Sequence, residues 1–264
     1  PTVLKFYSAE TSLIKRMPIF NFIFRWISQK GNVLIANSSY TAQLVEEVIG
    51  RSPTMIPDGH TFPSQQILPV FPAPNRPKKI LFVGRLVERK GVRYLIEAMP
   101  IILNKFDAHL KIVGGGSLMQ ELRTLTHKIG IADKVEFTGV LSYKQKNLAY
   151  QECDVFVLPA CIDNKGETEG LGVVLLEALG YGKPVIASKV GGIVDIVKHE
   201  RTGLLVPEKN PHRLAEAINR IFTDEKLYKK LALEGYSYAA QKFSIEAVAL
   251  KTANLYKEIL KNKG

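Results

Sequence analysis

EGLGVVLLEALGYGKPVIAS, residues 169–188, reads as a glycine-rich turn, an apolar helix ending near Tyr181, a second glycine turn and a strand over 184–188. Immediately upstream, DVFVLP (154–159) is a short run of strand composition. Two such strands joined by a helix form a parallel pair, and their apolar character calls for helices on both faces of the sheet. The alternation continues on either side. Strands are expected at 78–84, 109–114 and 134–139, with helices at 91–105, 117–130 and 143–152. After residue 188 come a short helix at 192–198, a strand at 203–206 and helices to the end. The pattern predicts a doubly wound, Rossmann-like α/β domain.

PVFPAPNRP (69–77) holds four prolines and can continue neither a helix nor a central strand, so it is expected to be an interdomain linker. Before it, NVLIANSSYTAQLVEEVIG (32–50) reads as strand then helix, and TMIPDG (54–59) as a short strand ending in a turn. The expected organisation is a partial Rossmann-like N-terminal domain over 1–68, a complete C-terminal domain over 78–242, and a closing helix over 243–264 that packs back toward the first domain. The first half of the N-terminal domain is expected to lie outside this sequence. The stretch 12–30 mixes Phe, Ile and Trp26 with Lys and Arg. It is either an amphipathic helix covering the sheet or one that docks on an anionic membrane surface.

With 264 residues and 46% hydrophobic content, the chain can build one large or two modest cores. A formal charge of +11, spread over both halves, points to anionic partners. Basic residues are interspersed with acids, and no basic stripe with interleaved aromatics suggests nucleic acid. Cys153 and Cys161 form no disulfide framework or CxxC signature, which fits a reducing cytoplasm. No leader segment is read at the start, and no run reaches the roughly 18 apolar residues that cross a bilayer. The five histidines show no paired metal-ligand spacing.

Glu169 lies in the turn that opens the helix and Glu177 on its flank, about two turns further on. The pair suits a ligand with hydroxyls at both ends and an anionic middle resting on the helix N-terminus, the shape of a nucleotide sugar. GRLVERKG (84–91) places Arg85 and Lys90 at the carboxyl end of a strand, where they can neutralise a diphosphate. Of the three cations in that turn, Arg89 is expected to face solvent. The run Gly114–Gly115–Gly116 either cradles phosphate or makes a tight turn, and Gly191 with Gly192 has the same two readings.

Taken together, FVGRLVERKG, KVEFTGVLS, DVFVLPA, GETEGLGVVLLEALGYGKPVIASKVGGIVDIV and RTGLLVP, in that order, resemble the donor-binding half of the retaining glycosyltransferases of family 4, which have the GT-B fold. VLIANSSYTAQLVEE and MIPDG resemble the end of that family's N-terminal domain. The resemblance implies transfer of a sugar from a UDP-, GDP- or ADP-sugar to a glycan or lipid-linked acceptor, with retention of configuration and no metal or other cofactor. It assigns Arg85 and Lys90 to the diphosphate, Glu169 to the sugar hydroxyls, and the backbone of Gly170, Leu171, Gly172, Val173 and Val174 to sugar and phosphate. Glu177 would hold the ribose, and the main chain near Leu141 the base. Tyr7 and Ser8 stand where the family usually has His-Gly, and the N-terminal glycine loop is absent, so the chain by itself is expected to bind donor without transferring it. A nucleotide-binding module or degenerate paralogue without turnover is the alternative.

Overall fold

The computed structural model describes residues 2–16, 18–31, 33–63 and 67–261. The N-terminal part runs β1 (Val3–Phe6), α1 (Ser8–Arg16), α2 (Pro18–Lys30), β2 (Val33–Ala36), α3 (Ser39–Ile49) and β3 (Thr54–Met55). The three strands form a parallel sheet in the order β1-β2-β3. Their small core consists of Phe6, Ile14, Leu34, Val45, Val48 and Ile49. The single amphipathic helix expected over 12–30 is two helices, and Pro18 begins the second, where its missing N–H costs nothing. Phe22, Trp26 and Ile27 of α2 are exposed, and the Lys30 ammonium lies 3.5 Å from the centre of the Trp26 ring.

The second part alternates strictly: β4 (Lys78–Val83), α4 (Val92–Leu103), β5 (Ala108–Val113), α5 (Met119–Lys128), β6 (Val135–Gly139), α6 (Tyr143–Glu152), β7 (Val155–Leu158), α7 (Val173–Gly180), β8 (Val185–Ser188), α8 (Ile193–Ile196) and β9 (Leu204–Val206). Three helices follow: α9 (Pro211–Thr223), α10 (Glu225–Phe243) and α11 (Ile245–Lys261). The six strands are parallel, in the order β6-β5-β4-β7-β8-β9. Every residue of β7 and β8 is buried, as strands covered on both faces require. α4 packs on α5 and α9, and α7 on α10. The helix expected over 192–198 is shorter, because Val197 returns to an extended conformation.

The proline-rich segment is tied down. Phe71 packs edge-on against Tyr228, and the buried Lys78 ammonium donates to the carbonyls of Pro72 and Ala73 at 3.2 and 2.6 Å. Arg76 donates to Asp154 at 2.9 Å. The chain passes between the two parts again at residues 243–245. There the His60 N–H donates to the Phe243 carbonyl at 2.7 Å, and the Ile245 N–H to the His60 carbonyl at 3.2 Å. α11 then reaches β1, where Tyr256, Ile259 and Leu260 share a groove with Val3.

Candidate functional site

In the strand order of the larger sheet, the chain leaves β4 toward β5 and re-enters beside β4 as β7. The loops after β4 and β7 therefore diverge and leave a crevice at the carboxyl ends of the strands, where such sheets bind ligands. Lys90 stands on the first loop and Glu169 on the second. Their side chains, 12% and 11% exposed, form an ion pair. A 3-10 turn at Glu88–Lys90 aims Lys90 inward and ends in left-handed Gly91. Gly172 is also left-handed, with φ 89, and lets the loop after β7 turn sharply into α7. Among the described residues no side chain caps α7, which leaves backbone N–H groups at its very start open to a ligand.

Across the crevice lie the carboxyl ends of β1, β2 and β3. They deliver Tyr7, Asn37 and Asp58 to a shared cleft of about 420 Å³, lined also by Lys90, Glu169 and Val173. Asp58 accepts from Lys5 at 2.8 Å, from Asn37 at 3.1 Å and from the Tyr7 hydroxyl at 3.4 Å. Burial alone would lower the pKa of the Lys5 ammonium, but the hydrogen bond to Asp58 and its charge outweigh burial and hold it above the ordinary value. Glu10, Asp58, Glu167 and Glu169 line the cleft with Arg89 and Lys90, so its positive end is confined to Lys90, Arg89 and the start of α7. The Thr168 hydroxyl is buried in the cleft wall without a hydrogen-bond partner among the described residues.

The structure brings Lys90, Glu169 and residues 170–174 together in this cleft. Arg85 is exposed and outside its lining, whereas Arg89, expected to face solvent, is half-buried within it and donates to the Thr168 carbonyl at 3.4 Å. The 3-10 turn causes the exchange, because it carries Arg89 and Lys90 inward together. Glu177 lies in a separate cavity of about 230 Å³, with His60, Tyr143 and Asn147. Both of its oxygens are engaged, by Lys146 and by the Tyr150 hydroxyl, each at 2.7 Å. Burial, and then the charge of Glu177, raise the Tyr150 phenol well above its ordinary pKa. Leu141 packs against the core and lines neither cavity.

Two of the glycine runs are explained by packing. A Cβ on Gly116 would fall 2.3 Å from the Leu86 carbonyl oxygen, and one on Gly192 2.0 Å from that of Gly170. Sequence reasoning did not select Asp58 or Asn37, although each follows a parallel strand and the rule that pointed to Arg85 applies to both. A larger cavity, about 620 Å³ and lined by Leu81, His109, Lys111 and Ala149, lies toward the amino-terminal half of the strands, away from this chemistry.

Two Rossmann-like units facing each other across a cleft at the carboxyl ends of their strands define the GT-B architecture. The chain belongs to the glycosyl transferases group 1 family, whose model matches residues 64–238. A GDP-mannose-dependent alpha-(1-6)-phosphatidylinositol monomannoside mannosyltransferase of Mycobacterium tuberculosis is 31% identical over 249 residues, which are 90% of this chain and 65% of that protein. An uncharacterized glycosyltransferase of Methanocaldococcus jannaschii is 36% identical over 187 residues, 71% of this chain and 46% of that protein. The chain thus spans about half to two thirds of the length of these relatives. Among solved structures, sucrose-phosphate synthase from Thermosynechococcus elongatus matches with TM-score 0.79 and 28% identity, over 98% of this chain and 68% of that one. Anabaena Alr3699/HepE in complex with UDP has the same fold, with TM-score 0.81, 21% identity and coverage of 98% and 72%.

Proposed function

We propose that the chain carries the donor site of a retaining glycosyltransferase that uses a nucleoside diphosphate sugar. The observation that carries this assignment is the little-exposed Lys90–Glu169 pair beside the uncapped start of α7, at the switch point of the sheet. Lys90 and the α7 N-terminus hold the diphosphate and stabilise its charge as the bond to the anomeric carbon breaks, with no metal required. Arg85, exposed just beyond the end of β4, joins them when the nucleotide is bound. Glu169 and the backbone of 170–174 receive the sugar hydroxyls. Glu177 receives the ribose and the main chain near Leu141 the base. The acceptor hydroxyl approaches from the side of Asp58, bonds to the anomeric carbon and loses its proton to the departing diphosphate. Retention of configuration follows the family resemblance.

The acceptor is a glycan or a lipid-linked molecule. Exposed Phe22, Trp26 and Ile27 beside Arg25 and Lys30 support contact with an anionic lipid surface. No described helix is long and apolar enough to cross a membrane. The relative from M. tuberculosis makes GDP-mannose the first donor to try, and UDP- and ADP-sugars complete the screen. Calorimetry with GDP, UDP and ADP should show binding of one of them, weakened at least about tenfold (~1.4 kcal/mol) by Arg85→Ala with Lys90→Ala. Failure of all three to bind, or unchanged affinity in the double variant, overturns the assignment.

A further inference from the structure

One of the contacts that join the two parts of the chain is as specific as the cleft, and the donor chemistry leaves it unused. The hydroxyl oxygen of Ser38 caps α3 by accepting the Thr41 N–H at 3.1 Å. The next residue, Ser39, turns to the other domain: its N–H and its hydroxyl donate to the two carboxylate oxygens of Asp195 at 2.7 and 2.8 Å. A carboxylate thus closes the positive end of a helix 156 residues away in sequence, by hydrogen bonds of the stronger, charge-assisted kind. Asp195 is itself held, because its carbonyl accepts from the Tyr238 hydroxyl at 2.9 Å. The turn that opens α8 is tied to the cleft loop, since the Gly192 N–H donates to the Glu169 carbonyl at 3.0 Å. A Cβ on Gly192 would also lie 2.8 Å from Ser38 Cβ. The α3 N-terminus, the start of α8 and the Glu169 loop therefore meet at one point.

We infer that Asp195 is a positioning residue: its two bonds to Ser39 hold the domains closed and set the N-terminal strand ends in register with the Glu169 loop. The closed arrangement then does not depend on a ligand in the cleft, and its strength is set by a pair outside it. Because the loop carrying Glu169 is bonded to the same turn, loss of the pair opens the domains and loosens the loop together.

The test is hydrogen exchange with small-angle scattering on the 264-residue protein without ligand, comparing Asp195→Ala, Asp195→Asn, Ser39→Ala and Ser39→Thr. Asp195→Ala should speed exchange at the amides of residues 39–42 and 192–196 by about tenfold, ~1.4 kcal/mol of closure free energy, and enlarge the radius of gyration. Asp195→Asn and Ser39→Ala each keep part of the contact and should fall between, and Ser39→Thr should behave as the native protein. Exchange in β4 and β7 should not change, which separates opening from general loosening. Native exchange and scattering in Asp195→Ala overturn the inference. If that variant fails to fold, native behaviour of Ser39→Ala overturns it instead. Neither readout needs a nucleotide, so failure of the donor assignment would leave the result standing.

Discussion

Glu169→Gln keeps the shape of the cleft and removes the charge that Lys90 neutralises. Both side chains are little exposed, so water screens the pair weakly and the charge matters more than at an open surface. In the native protein an entering diphosphate must draw Lys90 away from Glu169 or share it. In the variant Lys90 keeps a neutral amide oxygen as its acceptor, and its charge is free for the phosphates. A nucleoside diphosphate should therefore bind about tenfold more tightly, ~1.4 kcal/mol, less than the several kcal/mol of a fully enclosed pair because the cleft is open. The unliganded protein should lose about 1–3 kcal/mol of stability, since an ammonium is left without its counter-charge. With the nucleotide sugar the gain should shrink, because the sugar hydroxyls lose a charged acceptor. Calorimetry of the nucleotide and its sugar, with thermal melts of the free variant, measures all three. Unchanged or weaker binding of the free diphosphate would refute competition for Lys90.

Burial depresses the pKa of His60 below its ordinary 6.5, more than the charge of Glu177 raises it, so the folded state favours the neutral ring. Its contribution to stability should be complete above pH 6.5 and decline as the pH falls below that toward the folded-state value; His60→Gln should flatten this part of the melting profile, and an unaltered profile would count against it. Gly172→Ala places a Cβ at φ 89 and 3.0 Å from Leu175 Cδ1. It should cost about 1–2 kcal/mol and weaken nucleotide binding as the first turn of α7 shifts. A native melting temperature would show that the left-handed turn is dispensable.

The apolar runs made the larger sheet readable, because strands covered on both faces are mostly apolar and keep their few polar residues toward the strand ends and the sheet edge. KKILFV, AHLKIV, VFVL and VIAS are β4, β5, β7 and β8 within a residue or two of expectation. Lys90 and Glu169 could be placed because each lies in the loop between the carboxyl end of a strand and the helix that follows it. What could not be read is long-range. Asp58 meets Lys5 across 53 residues and Asp195 meets Ser39 across 156, and nothing in the local pattern says which residue each will meet. The choice between Arg85 and Arg89 depended on one 3-10 turn, whose signal in ERKG is too short to fix which side chain points inward. The engagement of Glu177 by α6 needed the crossover helix to be placed first, and sequence periodicity does not give its position.

The anchored proline segment has a mechanical consequence. A tether free along its length would let the two halves tumble in any direction. Lys78 and Arg76 fasten residues 72–77 to the larger half, and the pairing of His60 with residues 243–245 sets the two crossings of the chain side by side. Two adjacent pivots leave essentially one freedom, a swing about the line through them. The halves can part and meet like a door on its jamb, and each return brings the same strand ends back over the same loop.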